Sequence, residues 1–251
     1  MSWVITGAEK TRLDQDYRNV SLLLHGNADG SGNILDSSPS PKTVSKFGNA
    51  ASATPPSYPN SNSSFGNAIA FDGSGDFLTV PDNADFEFGS GAFTIEAWIY
   101  VSGGSGFRTI AGKSNRNEAG GIGSFAVLVN PSNNLKCLAS SDAGPSPANW
   151  QVDITSTTTL STSTWHHIAF TRSGNTFALF LNGIQEATAT NSLTLVNNAQ
   201  VLTIGTLGYT SGTFVNDFNG YIDDLRITKV ARYTANFTPP TAPFPDAGPA
   251  Q

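Results

Sequence analysis

The sequence predicts an all-β protein in which two antiparallel sheets pack face to face as a sandwich. Composition is the first reason. Charged residues are 13% of the 251-residue chain, where about 25% is usual. In their place stand 28 Ser, 26 Thr, 22 Asn and 25 Gly, together 101 residues, the make-up of many short strands joined by turns. Propensity is the second reason: five Glu and six Lys leave few strong helix formers for surface positions, whereas Thr, Val, Ile and the aromatics fit a pleated surface. The third is turn chemistry between alternating segments, with Asp72-Gly73-Ser74-Gly75 and Asn182-Gly183 as hairpin signals. An all-helical fold is excluded. Disorder is disfavoured because 38% hydrophobic residues, with 16 Phe and 4 Trp, supply a core for one large domain.

The elements follow in order. Residues 1–19 carry Glu9, Lys10, Arg12, Asp14, Asp16 and Arg18 around a lone Trp3, which reads as an arm docking on another protein or as a disordered tail. Residues 20–25 are a short apolar strand, and 68–71 and 77–80 flank the Asp72–Gly75 turn. Over 93–101, Phe93, Ile95, Ala97, Ile99 and Val101 alternate with Thr94, Glu96, Trp98 and Tyr100, the period of a long central strand. Strands are expected at 124–130, 135–139 and 150–155, then a hairpin of 165–172 and 176–181 across Ser173-Gly174-Asn175. Asn182-Gly183 leads into 184–190, and 201–205 and 220–228 complete the set. Pro239, Pro240, Pro243, Pro245 and Pro249 make 231–251 a tail that runs extended over the surface. The expected organisation is thus an arm at 1–19, a sandwich at 20–230 and the tail.

Net charge of −6 and a pI near 4.9 provide no basic stripe for nucleic acid. Cys137 is the only cysteine, so neither an intramolecular disulfide nor a cysteine zinc site forms. No apolar run approaches the roughly 18 residues of a membrane helix, so no membrane partner is expected. The first residues lack the basic and apolar regions of a secretory signal, so folding in a cytoplasm is expected. The sequons at Asn19, Asn62 and Asn236 then read as chance.

Six blocks carry a family resemblance: Val20-Ser-Leu-Leu-Leu-His-Gly, Phe65-Gly-Asn-Ala-Ile-Ala-Phe-Asp-Gly-Ser-Gly-Asp-Phe-Leu-Thr-Val-Pro-Asp, Phe93-Thr-Ile-Glu-Ala-Trp-Ile-Tyr, Trp165-His-His-Ile-Ala-Phe-Thr-Arg, Leu179-Phe-Leu-Asn-Gly and Asn219-Gly-Tyr-Ile-Asp-Asp-Leu-Arg-Ile-Thr. In this order they resemble a laminin-G-like jelly roll of the concanavalin A-like lectin/glucanase superfamily, over roughly residues 20–230. The ending from Arg226 to Pro245 resembles the C-termini of such modules in bacteriophage virion proteins. The resemblance implies a non-enzymatic module of a virion, a capsid decoration or tail-fibre-type protein, docked on other virion proteins through residues 1–19 and contacting glycans. A homo-oligomer is compatible with that role. A free carbohydrate-binding lectin and a glycan-cleaving enzyme are the alternatives.

Site residues are weighed on that basis. A retaining glycosidase needs two carboxylates about 5–5.5 Å apart, but Glu96 has only Thr94 and Trp98 at the two-residue spacing. Asp223 and Asp224 are adjacent, so on a regular strand they point to opposite faces; hydrolysis is not expected. His166 and His167 lack a Gly-x-Ser-x-Gly partner and read as core or hydrogen-bonding residues. The family often ties its loops with a structural Ca2+, and Asp72, Ser74 and Asp76, joined by Asp223 or Asp224, offer hard oxygens for one. Ordinary turn chemistry, with Asp accepting backbone N–H groups, is the other reading. For glycan contact the candidates are Trp150, Tyr209 and Phe214 at segment edges, while Trp98 and Trp165 lie in regular strands and are expected to be core or half-buried.

Overall fold

A computed structural model describes residues 13–114, 123–141, 150–207 and 216–249. Its strands are β1 (Val20–Leu24), β2 (Ser45–Phe47), β3 (Ala51–Ala53), β4 (Ala68–Asp72), β5 (Phe77–Val80), β6 (Phe93–Val101), β7 (Arg108–Ser114), β8 (Gly123–Val129), β9 (Asn134–Ala139), β10 (Val152–Thr159), β11 (Trp165–Ser173), β12 (Thr176–Leu181), β13 (Ile184–Thr190), β14 (Leu202–Ile204) and β15 (Asn219–Thr228). They form an eight-stranded sheet, β13-β12-β11-β6-β15-β4-β3 with β1 also on β15, and a seven-stranded sheet, β10-β9-β8-β7-β14-β5-β2. The pairings are antiparallel throughout. The molecule is therefore the all-β sandwich that its composition predicts. Among the described residues no helix is long and apolar enough to cross a membrane.

The core lies between the sheets. Phe93, Ile95, Ala97, Ile99 and Val101 of β6 face Phe125, Val127 and Val129 of β8 and Leu135, Cys137 and Ala139 of β9 in one buried cluster. Burial raises the Cys137 thiol well above its ordinary value, which leaves it inert.

Three strands escape the sequence reading. β2 and β3 are three-residue edge strands, too short for a pattern to emerge. β7 is central, yet Arg108-Thr-Ile-Ala-Gly-Lys-Ser does not alternate: it is buried along its whole length and its pairing with β8 is shifted twice by bulges. At the other sheet edge β10 begins at Val152, so Trp150 precedes it.

The outer face of the eight-stranded sheet is also covered, and both chain ends do the covering. Residues 13–19, read from sequence as part of an arm, lie on this sheet: Asp14 is buried between Arg226 and Arg232. Residues 1–12 lie outside the described residues. The Pro-rich tail adds no strand; it crosses the same face, where Phe244 packs on Val20 and Leu23 and Tyr233 and Phe237 pack on Ala169, Ala178 and Phe180.

Beneath these ends lies a closed ionic network. Glu96 Oε1 accepts from Arg226 Nε (3.0 Å) and Nη2 (2.7 Å), and Glu96 Oε2 from the Tyr233 hydroxyl (2.8 Å). Asp14 accepts from Arg226 Nη1 (3.0 Å) and from Arg232 Nη1 and Nη2 (3.0 and 2.7 Å). The Arg226 guanidinium lies 3.5 Å from the Phe244 ring centre. Burial pushes the Glu96 carboxyl up, but Arg226, His167 and Arg232 outweigh it and hold Glu96 down to about 2.

The opposite-face expectation for Asp223 and Asp224 fails because β15 is not regular there. β6 runs along one side of it, while its other side passes from β4 to β1. At this change of partner the register slips between Asp223 and Arg226 and Asp224 turns to φ 47°. The bulge turns the Asp224 carboxyl to the face covered by the tail, where it accepts from Phe244 N at 2.7 Å, and Asp224 N donates to Asp223 Oδ1 at 2.8 Å.

Candidate functional site

On the outer face of the eight-stranded sheet the covering is incomplete. A pocket of about 510 Å3 is lined by Ser57, Tyr58, Asn60, Ser61, Trp98, Ser163, Thr164, Trp165, Asn182 and Pro239, within the roughly 300–1,000 Å3 usual for small-molecule sites. Its floor follows from the alternation of β6. With the odd-numbered residues in the core, Trp98 and Tyr100 must face outward, where Phe65, Ala68 and Trp165 bury them in a second apolar layer. Trp98 is 3% and Trp165 8% exposed. Trp165 Nε1 donates to Ser57 O at 2.6 Å, which fixes segment 57–61 as a wall. Asn60 Nδ2 donates to Pro240 O (2.8 Å), so the tail closes the pocket on its other side. Half-buried Tyr58 adds ring surface, and Ser57, Asn60, Ser61, Ser163, Thr164 and Asn182 are exposed at the rim.

The backbone is unusual here. Seven described non-glycine residues have positive φ, and four of them, Asn60 (49°), Ser61 (57°), Ser163 (57°) and Asn182 (50°), line this pocket. Asn182 is at home in its Asn-Gly hairpin turn. The left-handed serines cost more, and such conformations gather where a surface must present particular groups.

The rest of the constellation is structural. His166 is bonded to Asn182 Nδ2 (3.1 Å), Ser161 Oγ (3.2 Å) and Ser161 O (3.1 Å), and burial lowers its pKa. His167 is buried with Nε2 3.4 Å from Glu96 Oε2, outside hydrogen-bond geometry, and its ring centre is 5.2 Å from that of Trp98. A second pocket of about 410 Å3 lies on the far side of Pro239, against Arg226, Arg232, Asp14 and Phe244, where both guanidiniums are already bonded to carboxylates.

The residues expected to hold Ca2+ are not brought together. Asp72 Oδ1 accepts from Ser74 N (2.8 Å) and Oδ2 from Asn49 Nδ2 (3.1 Å). Asp76 Oδ1 accepts from Asn49 N (2.6 Å) and Oδ2 from Asp72 N (2.9 Å). Each carboxylate oxygen of this turn thus meets an N–H donor, the turn-chemistry reading. Asp72 pairs with Asn219, so Asp223 begins four residues, about 13 Å, farther along β15. There Asp224 accepts from Phe244 N (2.7 Å) and lies 2.6 Å from His25 Nδ1. Among the described residues no three His, Cys, Asp or Glu side chains group as ion ligands. The donor set does not fit a calcium ion.

Of the glycan candidates, Tyr209 and Phe214 lie outside the described residues. Trp150 is half-buried on the outer face of the other sheet, its ring across Gly123 beside Ala126, Leu128, Leu138 and Leu207. The larger aromatic site is instead the one floored by Trp98 and Trp165. The signal for it was present in the sequence: two aromatic residues on the polar phase of an alternating strand require a second layer to cover them.

Comparisons with known proteins address the fold around this site. Residues 72–236 match a laminin-G family model described as Concanavalin A-like lectin/glucanases superfamily. No curated protein matches the sequence. Among solved structures the chain is similar to the binding domain of Paraclostridial Mosquitocidal Protein 1 (TM-score 0.64, 17% identity, 87% of this chain and 51% of that one). It is also similar to the binding domain of Botulinum Neurotoxin DC solved in complex with SialylT (TM-score 0.60, 18% identity, 86% and 49%) and to that of botulinum neurotoxin serotype C1 (TM-score 0.60, 17% identity, 86% and 50%). The chain spans about half the length of these structures, and at such identities the likeness is one of fold. Two antiparallel sheets around a single core, in a chain whose family match covers well over half its length, place this protein in the concanavalin A-like lectin/glucanase superfamily.

Proposed function

We propose that the chain is a non-enzymatic glycan-binding module of a bacteriophage virion protein, of the decoration or tail-fibre type, and that the pocket between Tyr58, Trp98 and Trp165 is its sugar site. The observation that carries this reading is the pocket's chemistry: aromatic rings with hydroxyl and amide side chains at the rim, the combination that meets the apolar ring faces and the hydroxyls of a saccharide. The complex of a structural neighbour with SialylT supports the class of ligand. The absence of catalysis is argued from the carboxylates. Among the described residues none lines the pocket, and Glu96 is fully buried with both oxygens engaged, so they provide no pair of working carboxyls here. The virion setting rests on the resemblance of residues 226–245 to the ends of phage modules; within the arm of residues 1–19, Asp14 is taken up by the chain's own Arg226 and Arg232, and Leu13, Gln15 and Asn19 are exposed toward other virion proteins. Binding of the full chain to a glycan array tests the sugar site, and absence of retained glycans sinks it. Mass spectrometry of purified particles tests the setting, and a glycan-binding chain missing from the particles is instead a free lectin.

A further inference from the structure

We infer that the sugar bound at this pocket is a neutral saccharide and that acidic sugars are excluded. The inference rests on the glycan reading above and sharpens it. The described residues that line the pocket are Ser, Thr, Asn, Tyr, Trp and Pro, without a Lys, Arg or His among them. A sialic or uronic acid carries a carboxylate that must give up water to enter a half-enclosed site, and that cost is met most fully by a cation. The amide donors present are half used, since each NH2 carries two N–H groups and one of each is committed. Asn60 Nδ2 is bonded to Pro240 O and Asn182 Nδ2 to His166 Nδ1; the Trp165 indole N–H is bonded to Ser57 O. Beyond one N–H on each of these amides and the Trp98 indole N–H, which is buried without a partner, the remaining groups are hydroxyls, which serve equally as donors and acceptors and suit sugar hydroxyls.

The neighbouring pocket supplies no help. Arg226 and Arg232 lie on the other side of Pro239, and their guanidiniums are neutralised by Glu96 and Asp14 within a buried network. The chain as a whole carries −6, so long-range steering also disfavours an anion.

The test compares matched pairs on the intact chain, lactose against 3′-sialyllactose and N-acetyllactosamine against its sialylated form, within a wider array of neutral and acidic oligosaccharides. Retention of neutral glycans alone is expected, with an affinity that does not change between about 50 mM and about 500 mM salt, because no ion pair forms. Tyr58→Ala is expected to weaken that binding about tenfold or more while leaving the melting temperature in place. Thr164→Arg, which adds a guanidinium at the exposed rim, is expected to admit the sialylated partner. Preference of the unaltered chain for sialylated glycans overturns the inference and leaves the glycan reading standing. Binding of neither class overturns both, and neutral binding unaffected by Tyr58→Ala overturns the assignment to this pocket.

Discussion

Two buried carboxyls on the outer face of the eight-stranded sheet titrate in opposite directions, and the difference is one of partners. Glu96 meets Arg226 and Arg232 and is held down to about 2. Asp223 is pushed up to about 9, by burial first and then by the charge of Asp224, against one backbone N–H that favours the anion; its Oδ2 has no partner. Glu96 contributes stability above its ordinary 4.5, and that contribution is lost as pH falls toward 2. Asp223 acts the other way: the folded chain keeps a proton that the unfolded chain releases near 3.8, so stability declines as pH rises from about 4 to about 9. Thermal melts across pH are expected to peak on the mildly acidic side. Asp223→Asn, which keeps the oxygen that accepts from Asp224 N, is expected to raise the melting temperature at pH 8 and to change it little at pH 4; an equal shift at both refutes the protonated state. The Asp72–Asp76 turn is the contrasting case, since its carboxylate oxygens are filled by N–H donors. A melting temperature that EDTA and added Ca2+ both leave unmoved is expected, whereas a rise with Ca2+ would reveal a site by mass action.

β15 is the element on which the outer face depends. It places Arg226 under the chain ends, and its bulge at Asp223–Asp224 lets β4 and β1 share one of its sides. At its start Gly220 has φ 144°, and a Cβ built there meets Tyr100 O at 1.9 Å. No side-chain rotation relieves a clash with backbone, so Gly220→Ala must push β15 from β6. A loss of more than about 2 kcal/mol is expected in chemical denaturation; a smaller loss means that the strands can shift without cost. Such features also mark the limit of what sequence patterns convey. Regular strands with one exposed face, or hairpins with Asn-Gly turns, were legible because their chemistry repeats or is local. β7 and the Asp223–Asp224 bulge were not, because their shape is set by neighbouring strands. The pocket was half legible: Trp98 and Trp165 lay in correctly read strands, but what covers them comes from residues 57–61 and 239, distant in sequence.

At the scale of the molecule, the chain is a two-sheet sandwich with a third, partial layer made of its own ends. The tail beyond Thr228 caps apolar surface through Tyr233, Phe237 and Phe244 and closes the ionic network through Arg232 and Tyr233. It also supplies the Pro239 wall of the proposed sugar site. Removing residues 231–251 leaves every strand in place but uncovers Val20, Leu23 and Phe180 and strips Glu96 and Asp14 of partners. One buried and two half-buried aromatic side chains, at up to about 1.5–3 kcal/mol each, together with an ionic network left half-paired, take up a large share of the roughly 5–15 kcal/mol by which a domain is stable. A fall in melting temperature of more than about 10 °C is therefore expected, with dye-detectable apolar surface and loss of glycan retention. The β-sheet circular dichroism should persist at low temperature, since the inter-sheet core is intact. A truncated chain that melts with the full-length protein would show that the tail is an appendage, and the pocket it walls would then lose its claim to a fixed shape.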